Sequence, residues 1–375
     1  MTAALFGGFV LAWLVQLGYW LGVYARVLRV PVRSPDPTIR PPSSPAPPPP
    51  VSVIVCARNE AGKLRKNLPL ILNQDYRSFE LIVVNDHSTD DTPAVLKQLQ
   101  KSHPTFRIVN FTHMKFSPGK KDVLAAGIEA ATNEWLLLTD ADCAPVSRHW
   151  IRDMLNPASA PTTGVILGYS PYRPLRGLLG AAVGYETYLT AVQYFGWALA
   201  GRPYMGVGRN LAYRRSLYRA AGGFAAHRAL ASGDDDLLIG RIATAANTRV
   251  VLSPDSRTVS PPPTSWSAWV RQKRRHLSTA SAYARGTQWR LAGFSGSHLA
   301  VYLLGMALLP TGFAPWALGL LLLRGVVLGA LFIRLRQSLV DGPPAWQLLL
   351  LDPVWPLYYL IFTPFLFLHN RITWK

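Results

Sequence analysis

An apolar segment near the start of the chain, Leu5 to Ala25, contains no charged side chain. At about 1.5 Å per residue, a helix of this length crosses the ~30 Å hydrocarbon core of a lipid bilayer. Over the whole chain of 375 residues, 49% are hydrophobic and only 16% are charged, which argues against an ordinary cytosolic enzyme. We therefore expect residues 1–30 to form a transmembrane helix.

The residues around this helix indicate which way it crosses the membrane. Arg26, Arg29 and Arg33 follow it, whereas the basic stretch and the small-residue cleavage site of a secretory signal are absent. The two cysteines, Cys56 and Cys143, lack the spacing of a zinc site and are too few for a disulfide framework, so a reducing compartment suits them. We expect a multi-pass protein of the cytoplasmic (inner) membrane whose next domain faces the cytoplasm.

A second apolar region covers residues 291–375. Between Ala292 and Ile333 only His298 and Arg324 can carry a positive charge. Helix-breaking residues divide this stretch into two candidate transmembrane helices: Pro310, Gly312 and Pro315. A last apolar stretch, Trp346 to Leu368, is interrupted by an Asp-Pro pair and a further proline, so it either spans with a kink or enters and returns.

The composition changes twice between these two apolar regions. Residues 31–50 include ten prolines, which favour an extended spacer. From Val51 onward, short and almost continuously apolar β-rich runs alternate with helical patterns, which predicts a mostly parallel sheet covered on both faces by helices. We therefore expect an α/β domain over residues 51–290. The predicted strands are Val51–Cys56, Glu80–Asn85, Phe106–Val109 and Trp135–Thr139, and the predicted helices are Gly62–Asn73, Asp91–Lys101 and Lys120–Ala131.

Short polar strings directly follow three of the predicted strands, at residues 57–60, 86–88 and 140–142. Because ligands of such sheets lie at the carboxyl ends of the strands, we expect these strings to line one crevice. Asp140 and Asp142 end a buried strand, where residues i and i+2 project to the same side. Two carboxylates in this position suit Mg²⁺ or Mn²⁺; a solvated turn would give the same short pattern, but the preceding buried strand favours the metal site.

Three consecutive acids, Asp234, Asp235 and Asp236, follow Gly233 in a chain that is short of acids. Carboxylates are favourable at a helix N-terminus, which gives the cluster a structural explanation. A carboxylate that is crowded by others near a metal can also act as a general base toward a hydroxyl group. Both interpretations can hold for different members of the cluster.

Basic residues near two predicted helices suit phosphate groups. Lys120 and Lys121 open a helix whose N-terminal amides already favour an anion, although we expect one of the two to be solvated. Residues 265–283 have the pattern of an amphipathic helix that lies at the membrane surface, with tryptophan and arginine at the headgroup level. Three residues of that helix share a face that suits a diphosphate: Gln272, Arg275 and His276.

The chain carries a formal net charge of +19, so we expect an anionic partner. A phospholipid surface, a nucleoside diphosphate or a nucleic acid would each suit that charge. The basic residues cluster beside apolar segments and no nucleic-acid-binding module is recognisable, so we expect no nucleic acid partner. A non-enzymatic membrane scaffold or transporter would have the same apolar helices but no need for carboxylates at strand ends.

Over about Val51 to Ala280, the chain resembles the membrane-bound family-2 glycosyltransferases, which are inverting enzymes of the GT-A type. The segments that carry the resemblance are residues 53–60 and 83–90 for nucleotide binding, 139–142 for the metal-binding DxD motif, 208–215 for the acceptor side, 233–236 for the acidic base motif and 272–276 for the QxxRW motif. Two positions depart from the family: Gly233 stands in place of glutamate, and His276 stands in place of tryptophan.

The resemblance implies a GT-A type nucleotide-sugar-binding domain with a mostly parallel sheet, joined to N-terminal and C-terminal transmembrane helices. The implied binding site for a UDP- or GDP-sugar comprises nine residues, two of them lysines: Ala57, Arg58, Glu60, Asp86, Lys120, Lys121, Asp140, Gln272 and Arg275. The implied metal ligands for Mg²⁺ or Mn²⁺ are Asp140 and Asp142, and the implied acceptor-side residues are Gly208, Arg209, Asn210 and His276. Asp234 aligns best with the base, and Asp235 and Asp236 remain alternatives.

The expected activity is an inverting displacement that moves a sugar from a nucleotide-sugar to a hydroxyl or phosphate of a membrane-associated acceptor. A polyprenyl phosphate, a glycolipid or a hydroxylated carotenoid would suit a catalytic domain that is held at the lipid bilayer. A processive polysaccharide synthase is the alternative. His276 at the tryptophan position and the few, interrupted C-terminal helices favour the lipid acceptor over the polysaccharide.

Overall fold

The computed structural model describes residues 1–32, 48–113, 116 and 119–366. Most of the proline-rich linker predicted over residues 31–50 therefore lies outside the described residues. Within them, an α/β domain is flanked by apolar helices near both ends of the chain.

The α/β domain is built around one seven-stranded sheet. The strands of the chain are β1 Val51–Ala57, β2 Phe79–Asp86, β3 Phe106–Phe111, β4 Trp135–Asp140, β5 Ala144–Pro145, β6 Val165–Gly168, β7 Leu211–Arg214, β8 Thr248–Val251 and β9 Thr258–Val259. The order in the large sheet is β3-β2-β1-β4-β7-β6-β8, and β5 pairs separately with β9. The first four strands are parallel and only β7 runs antiparallel to its neighbours, which confirms the mostly parallel sheet.

Helices cover both faces of this sheet. The helices of the described part of the chain are α1 Thr2–Leu17, α2 Ala61–Leu72, α3 Thr92–Gln100, α4 Lys121–Ala130, α5 Trp150–Leu155, α6 Gly177–Leu199, α7 Arg215–Ala220, α8 Asp236–Ile242, α9 Trp266–Leu277, α10 Arg285–Leu308, α11 Ala314–Ser338, α12 Ala345–Leu351 and α13 Trp355–Phe362. One core layer lies against α2, α3 and α5, and the other against α4 and α6. Gly127 lets α4 approach the sheet closely, because an added Cβ would lie 2.7 Å from Ile54 and 2.9 Å from Val84.

The register of the sheet brings three strand ends to one level. Cys56 of β1 pairs with Val84 of β2 on one side and with Asp140 of β4 on the other. The loops that leave these strands therefore start side by side. The strings after β1 and β4 line one crevice, whereas residues 86–88 after β2 do not line it, so the predicted shared crevice holds for two of the three strings.

Three helical segments in the described part of the chain are long and apolar enough to cross a membrane: Thr2–Arg29, Arg285–Leu308 and Ala314–Ser338. The first continues from α1 through a π-helical turn and a 3-10 turn. The residues from α12 through α13 form a pair bent by 53°, which would make a fourth span or a re-entrant segment. The sequence predicted the apolar segments and the break in the last one.

Buried polar side chains connect these apolar helices. Arg324 of α11 forms an ion pair with Asp352, which lies at the bend between α12 and α13, and donates a 2.8 Å hydrogen bond to Tyr302 of α10. His298 Nε2 lies 3.3 Å from the Asp352 carboxylate, and Gln16 of α1 accepts a 3.3 Å hydrogen bond from Arg324. Because an unpaired charge is costly in an apolar surrounding, this pairing favours one arrangement of the helices.

Two parts of the fold differ from the sequence pattern. The amphipathic helix predicted over residues 265–283 ends at Leu277, where the Thr279 hydroxyl donates to the His276 carbonyl and to the Asp236 carboxylate in place of continuing the helical ladder. The sequence also gave no signal for α6 or for β6 to β8. The apolar residues of α6 are spread around the helix, so no single stripe marks it.

Candidate active site

A single large crevice opens at the carboxyl ends of β1 and β4 and continues past α9 to α10 and α13. Its volume of about 2240 Å³ exceeds the roughly 300–1,000 Å³ of ordinary small-molecule pockets. The predicted site residues that line it are Arg58, Glu60, Lys120, Asp140, Asp142, Arg209, Asp234, Asp235, Asp236, Gln272, Arg275 and His276. The other predicted site residues are buried and do not line it: Ala57, Asp86, Lys121, Gly208 and Asn210.

The loops that follow β1 and β2 are fastened to each other. The Asn59 backbone N–H donates to the Ser88 hydroxyl at 3.0 Å, and the Thr89 backbone N–H donates to Asn59 Oδ1 at 2.7 Å. Asn59 has a φ of 55°, a left-handed conformation that asparagine adopts more readily than most residues. Asp86 is buried at the end of β2, with its Oδ1 3.0 Å from His87 Nδ1. These contacts hold the two predicted nucleotide-binding loops at one edge of the sheet.

The two carboxylates of the DxD motif lie together after β4. Ligand atoms of Asp140, Asp142 and Cys143 are all within 4.8 Å of one another. Burial raises the pKa of the Cys143 thiol, so its neutral sulfur is a poor ligand for a hard cation. Mg²⁺ and Mn²⁺ prefer carboxylate oxygens, which Asp140 and Asp142 supply. The aspartate pair therefore fits a divalent cation.

Two members of the acidic cluster have partners that support the fold around α8. Asp235 caps α8 by accepting from the Asp236 backbone N–H at 2.8 Å, and it also accepts from the Gly208 backbone N–H at 2.7 Å. Asp236 accepts hydrogen bonds from the hydroxyls of Thr279 and Tyr283 at 2.5 and 2.8 Å. The structural explanation of the acidic cluster, in which the acids stabilise the start of a helix, therefore applies to Asp235 and Asp236.

The Lys120 ammonium group lies between the remaining acid and the DxD motif. Its Nζ is 3.0 Å from Asp140 Oδ1 and 3.0 Å from Asp234 Oδ2. Burial alone would lower the pKa of Lys120, but Asp140 and Asp234 raise it well above the usual value, so the ammonium remains charged. Burial also acts to raise the pKa of Asp140, and the adjacent Lys120 charge outweighs it and lowers that pKa. Lys120 therefore joins the predicted metal ligand to the predicted base.

Lys121 and Asn210 use their polar atoms inside the protein. Lys121 is fully buried and donates to the carbonyl oxygens of Leu230 and Ser232, the latter at 2.8 Å. Asn210 is also fully buried and accepts a 2.9 Å hydrogen bond from Trp150 Nε1. The structure thus gives these two predicted binding residues contacts that hold loops in place, and neither side chain faces the crevice.

The crevice is lined by much of α9, including the three residues that its helical spacing placed on one face: Gln272, Arg275 and His276. Gln272 donates to the Tyr172 hydroxyl at 2.8 Å, and the Arg209 guanidinium stacks on the same tyrosine, 4.3 Å from the ring centre. Arg275 and His276 line the crevice beside them. Burial, and then the basic side chains nearby, hold the pKa of His276 well below its usual range, so its imidazole is neutral at physiological pH.

A contact that the helical spacing of α9 did not predict holds this helix against the domain. Lys273 of α9 forms a buried ion pair with Glu186 of α6. Glu186 is the only acidic residue between Asp153 and Asp234, and it stands in an otherwise apolar helix. A lone acid in such a helix signals a buried partner, so the pattern could have indicated the ion pair.

Comparison with known proteins agrees with this geometry. Residues 48–279 match the family described as glycosyltransferase like family 2, and the chain belongs to that family. The solved structure of the mannosyltransferase PcManGT from Pyrobaculum calidifontis, in complex with GDP-Man and Mn²⁺, is similar with a TM-score of 0.58 and 24% identity, covering 95% of this chain and 98% of that one. Residues 48–279 thus form a family-2 glycosyltransferase domain with the GT-A type fold.

Two curated relatives are similar over part of their length. Probable glycosyltransferase YdaM of Bacillus subtilis is 26% identical over 255 residues, 66% of this chain and 57% of that protein. The GalNAc(5)-diNAcBac-PP-undecaprenol beta-1,3-glucosyltransferase of Campylobacter jejuni is 35% identical over 94 residues, 25% of this chain and 30% of that protein. The chain thus matches less than two thirds of the length of either relative.

The surroundings of Asp235 predict how stability depends on pH. Burial, and then the charges of Asp234 and Asp236, raise the pKa of Asp235 from 3.8 to about 7. The folded protein therefore holds this proton more tightly than the unfolded chain does. Its contribution to stability is complete below about pH 4 and is lost as the pH rises through about 7.

We predict that Asp235→Asn gains stability relative to the wild type as the pH rises from about 5 to about 8, because asparagine carries no proton to lose. The measurement is the difference between the two melting temperatures across that range in detergent solution. Glu129→Gln on the exposed surface of α4 is the control. A melting-temperature difference for Asp235→Asn that stays constant with pH would contradict the assignment.

Proposed function

We propose that this glycosyltransferase inverts the anomeric carbon and transfers a sugar from a UDP- or GDP-sugar to a hydroxyl or phosphate of a membrane-associated acceptor. The observation that carries the proposal is the cluster in which Lys120 joins Asp140 of the DxD motif to Asp234. A divalent-cation site and a base candidate at one crevice are the parts that a single displacement needs.

In the proposed reaction, Asp234 accepts the proton of an acceptor hydroxyl while the hydroxyl oxygen bonds to the anomeric carbon. The bond from that carbon to the nucleoside diphosphate breaks, and its electron pair leaves with the diphosphate. Because the attacking oxygen and the leaving oxygen are on opposite sides of the carbon, one displacement inverts the configuration. General base catalysis of this kind contributes about 10²–10⁴-fold to the rate.

The donor would lie across the strand ends. Asp140 and Asp142 would hold Mg²⁺ or Mn²⁺, which neutralises charge on the leaving diphosphate. Gln272 and Arg275 would bind the diphosphate from α9, and the loop after β1, which is hydrogen-bonded to the loop after β2, would bind the nucleoside. The Mn²⁺ and GDP-Man of the PcManGT complex support this class of donor and cofactor.

The acceptor would reach the crevice from the bilayer, because the crevice continues to α10 and α13. A polyprenyl phosphate, a glycolipid or a hydroxylated carotenoid would suit this route, and the lipid-linked acceptor in the name of the Campylobacter jejuni relative supports it. His276, at the position of the synthases' tryptophan, favours transfer of one or few sugars over chain synthesis, and mass spectrometry of the product separates these outcomes.

The direct test uses the purified full chain in detergent with individual UDP- and GDP-sugars and Mn²⁺, with and without a membrane lipid extract. Release of nucleoside diphosphate that requires the extract supports the proposal. No release from any donor in either condition would contradict it.

The DxD assignment predicts that Asp142→Asn weakens Mn²⁺ binding by at least about tenfold and abolishes transfer, because one of two carboxylate ligands is lost. Titration calorimetry with Mn²⁺ and nucleoside diphosphate measures the affinity, and the melting temperature verifies folding. Asp75→Asn, on a half-exposed carboxylate of the α2–β2 loop, is the control. Mn²⁺ binding of wild-type strength in Asp142→Asn would exclude this residue as a ligand.

The base assignment predicts that Asp234→Asn lowers turnover by about 10²–10⁴-fold but leaves nucleotide-sugar binding nearly unchanged, because a base acts mainly in the transition state. Single-turnover kinetics and donor titration separate the two quantities. Asp235→Asn and Asp236→Asn are the matched comparisons and should reduce turnover less. If Asp235→Asn loses turnover and Asp234→Asn does not, Asp235 is the base.

We further propose that the domain faces the cytoplasm of a cell with the protein in its inner membrane, since Arg26 and Arg29 lie at the C-terminal end of the first apolar helical segment. The turn between α10 and α11 would then lie outside. A membrane-impermeant maleimide should label Gly312→Cys in intact cells, whereas Ser159→Cys, on the exposed surface of the domain, should react only after permeabilisation. The reverse pattern would invert the topology.

A further inference from the structure

The crevice extends well beyond the carboxylate cluster. Past α9, its walls include Leu291, Gly296 and Leu299 of α10, and Tyr358 and Phe362 of α13. The first of these helices is long and apolar enough to cross a membrane, and the second belongs to the bent pair. One continuous cleft thus joins the candidate base to apolar helices, and its volume is larger than a nucleotide-sugar needs.

Helix α9 lies where the polar part of the cleft meets the apolar part. On one side, Arg275 is close enough to Asp140 for its charge to stabilise that carboxylate. On the other side, the Arg274 guanidinium lies 4.8 Å from the ring centre of Phe365, just after α13. Trp269 packs against Phe362 with a ring-centre distance of 5.6 Å. The basic residues of α9 therefore stand at the boundary between the two parts.

Two of these basic residues have no acidic partner. Four of the acids that line the cleft form ion pairs with other residues: Glu60 with Lys63, Asp140 and Asp234 with Lys120, and Glu186 with Lys273. Among the residues that the structure describes, no carboxylate forms an ion pair with Arg271 or Arg274. These arginines are three positions apart, so they share a helix face, and both line the cleft.

We propose that the cleft binds an acceptor lipid with a phosphate or diphosphate group next to its apolar chain, in which Arg271 and Arg274 bind the phosphate and the chain lies between α10 and α13. Arginine pairs suit phosphate oxygens because the guanidinium can donate two parallel hydrogen bonds. A neutral glycolipid or a carotenoid has no anionic group that would pair with these two guanidinium groups. The inference rests on the proposed function and narrows its acceptor to an anionic lipid.

The phosphate contact is tested by binding. The probe is a fluorescent polyprenyl diphosphate added to the full chain in neutral detergent, with three competitors: the polyprenol of the same length, inorganic diphosphate and phosphatidylglycerol. We expect Arg271→Gln/Arg274→Gln to bind the probe at least about tenfold more weakly than the wild type. Arg219→Gln, on the exposed surface of α7, is the matched control and should bind normally.

The chain contact is tested at Gly296. An added Cβ at this position meets no atom within 4 Å, and the residue lines the cleft, so Gly296→Trp should fill the cleft without disturbing the protein around it. We expect a loss of probe binding of at least about tenfold. Gly319→Trp is the control, because Gly319 is equally open, lies on another apolar helix and does not line the cleft.

The competitors separate the sources of binding. If polyprenol displaces the probe as strongly as the polyprenyl diphosphate binds, the phosphate contact is overturned. If inorganic diphosphate or phosphatidylglycerol displaces it equally well, the specific lipid site is overturned. Wild-type binding of the probe in either variant would also overturn the specific lipid site.

Nucleoside diphosphate binding with Mn²⁺ is measured on the same samples and should be unchanged. Its absence in the wild type would count against the proposed function, whereas normal nucleotide binding without probe binding would count against this inference alone.

Discussion

The candidate site depends on one ammonium group between two carboxylates. Lys120 is the N-cap residue of α4, Asp140 ends β4, and Asp234 stands two residues before the start of α8. Without the lysine charge, the acids at this edge of the sheet would repel one another in a buried setting. The ion pair thus brings three separate elements together, and the Lys120 charge lowers the pKa of Asp140, which keeps that carboxyl in the charged form that a metal ligand requires.

The apolar helices are subject to a related constraint. Arg324 and Asp352 are both nearly inaccessible to solvent, and each would be unfavourable alone among apolar residues. Their ion pair, together with Tyr302 and His298, connects α10, α11 and the bend between α12 and α13. Because α10 and α13 also form walls of the crevice, the shape of its apolar part depends on a polar contact that the transferred sugar would never touch.

Local patterns predicted much of this arrangement. The alternation from Val51 to Thr139 predicted four strands and three helices to within two residues of their observed ends, because each apolar run belongs to one element. The helical period of α9 also placed Gln272, Arg275 and His276 together, and all three line the crevice. Contact partners that lie far apart in the sequence could not be predicted from these local patterns. Lys121 differs from Lys120 only in the direction of its side chain, and that direction depends on the loop at residues 230–232, far away in the sequence. The apolar helix α6 also lacked a stripe that would have marked it.

The hydrogen bonds just after the C-terminus of α9 connect the acidic loop mechanically to α10. Asp236, directly beside the candidate base loop, holds the hydroxyls of Thr279 and Tyr283, and Tyr283 stands two residues before the start of α10. A helix that crosses a bilayer changes its tilt when the thickness of the hydrocarbon layer changes. Tilting of α10 would pull on Tyr283 and, through it, on the loop that carries the acids. In a bilayer that α10 crosses, two hydroxyl groups and one carboxylate would thus connect the lipid composition to the spacing of the acids in the cleft.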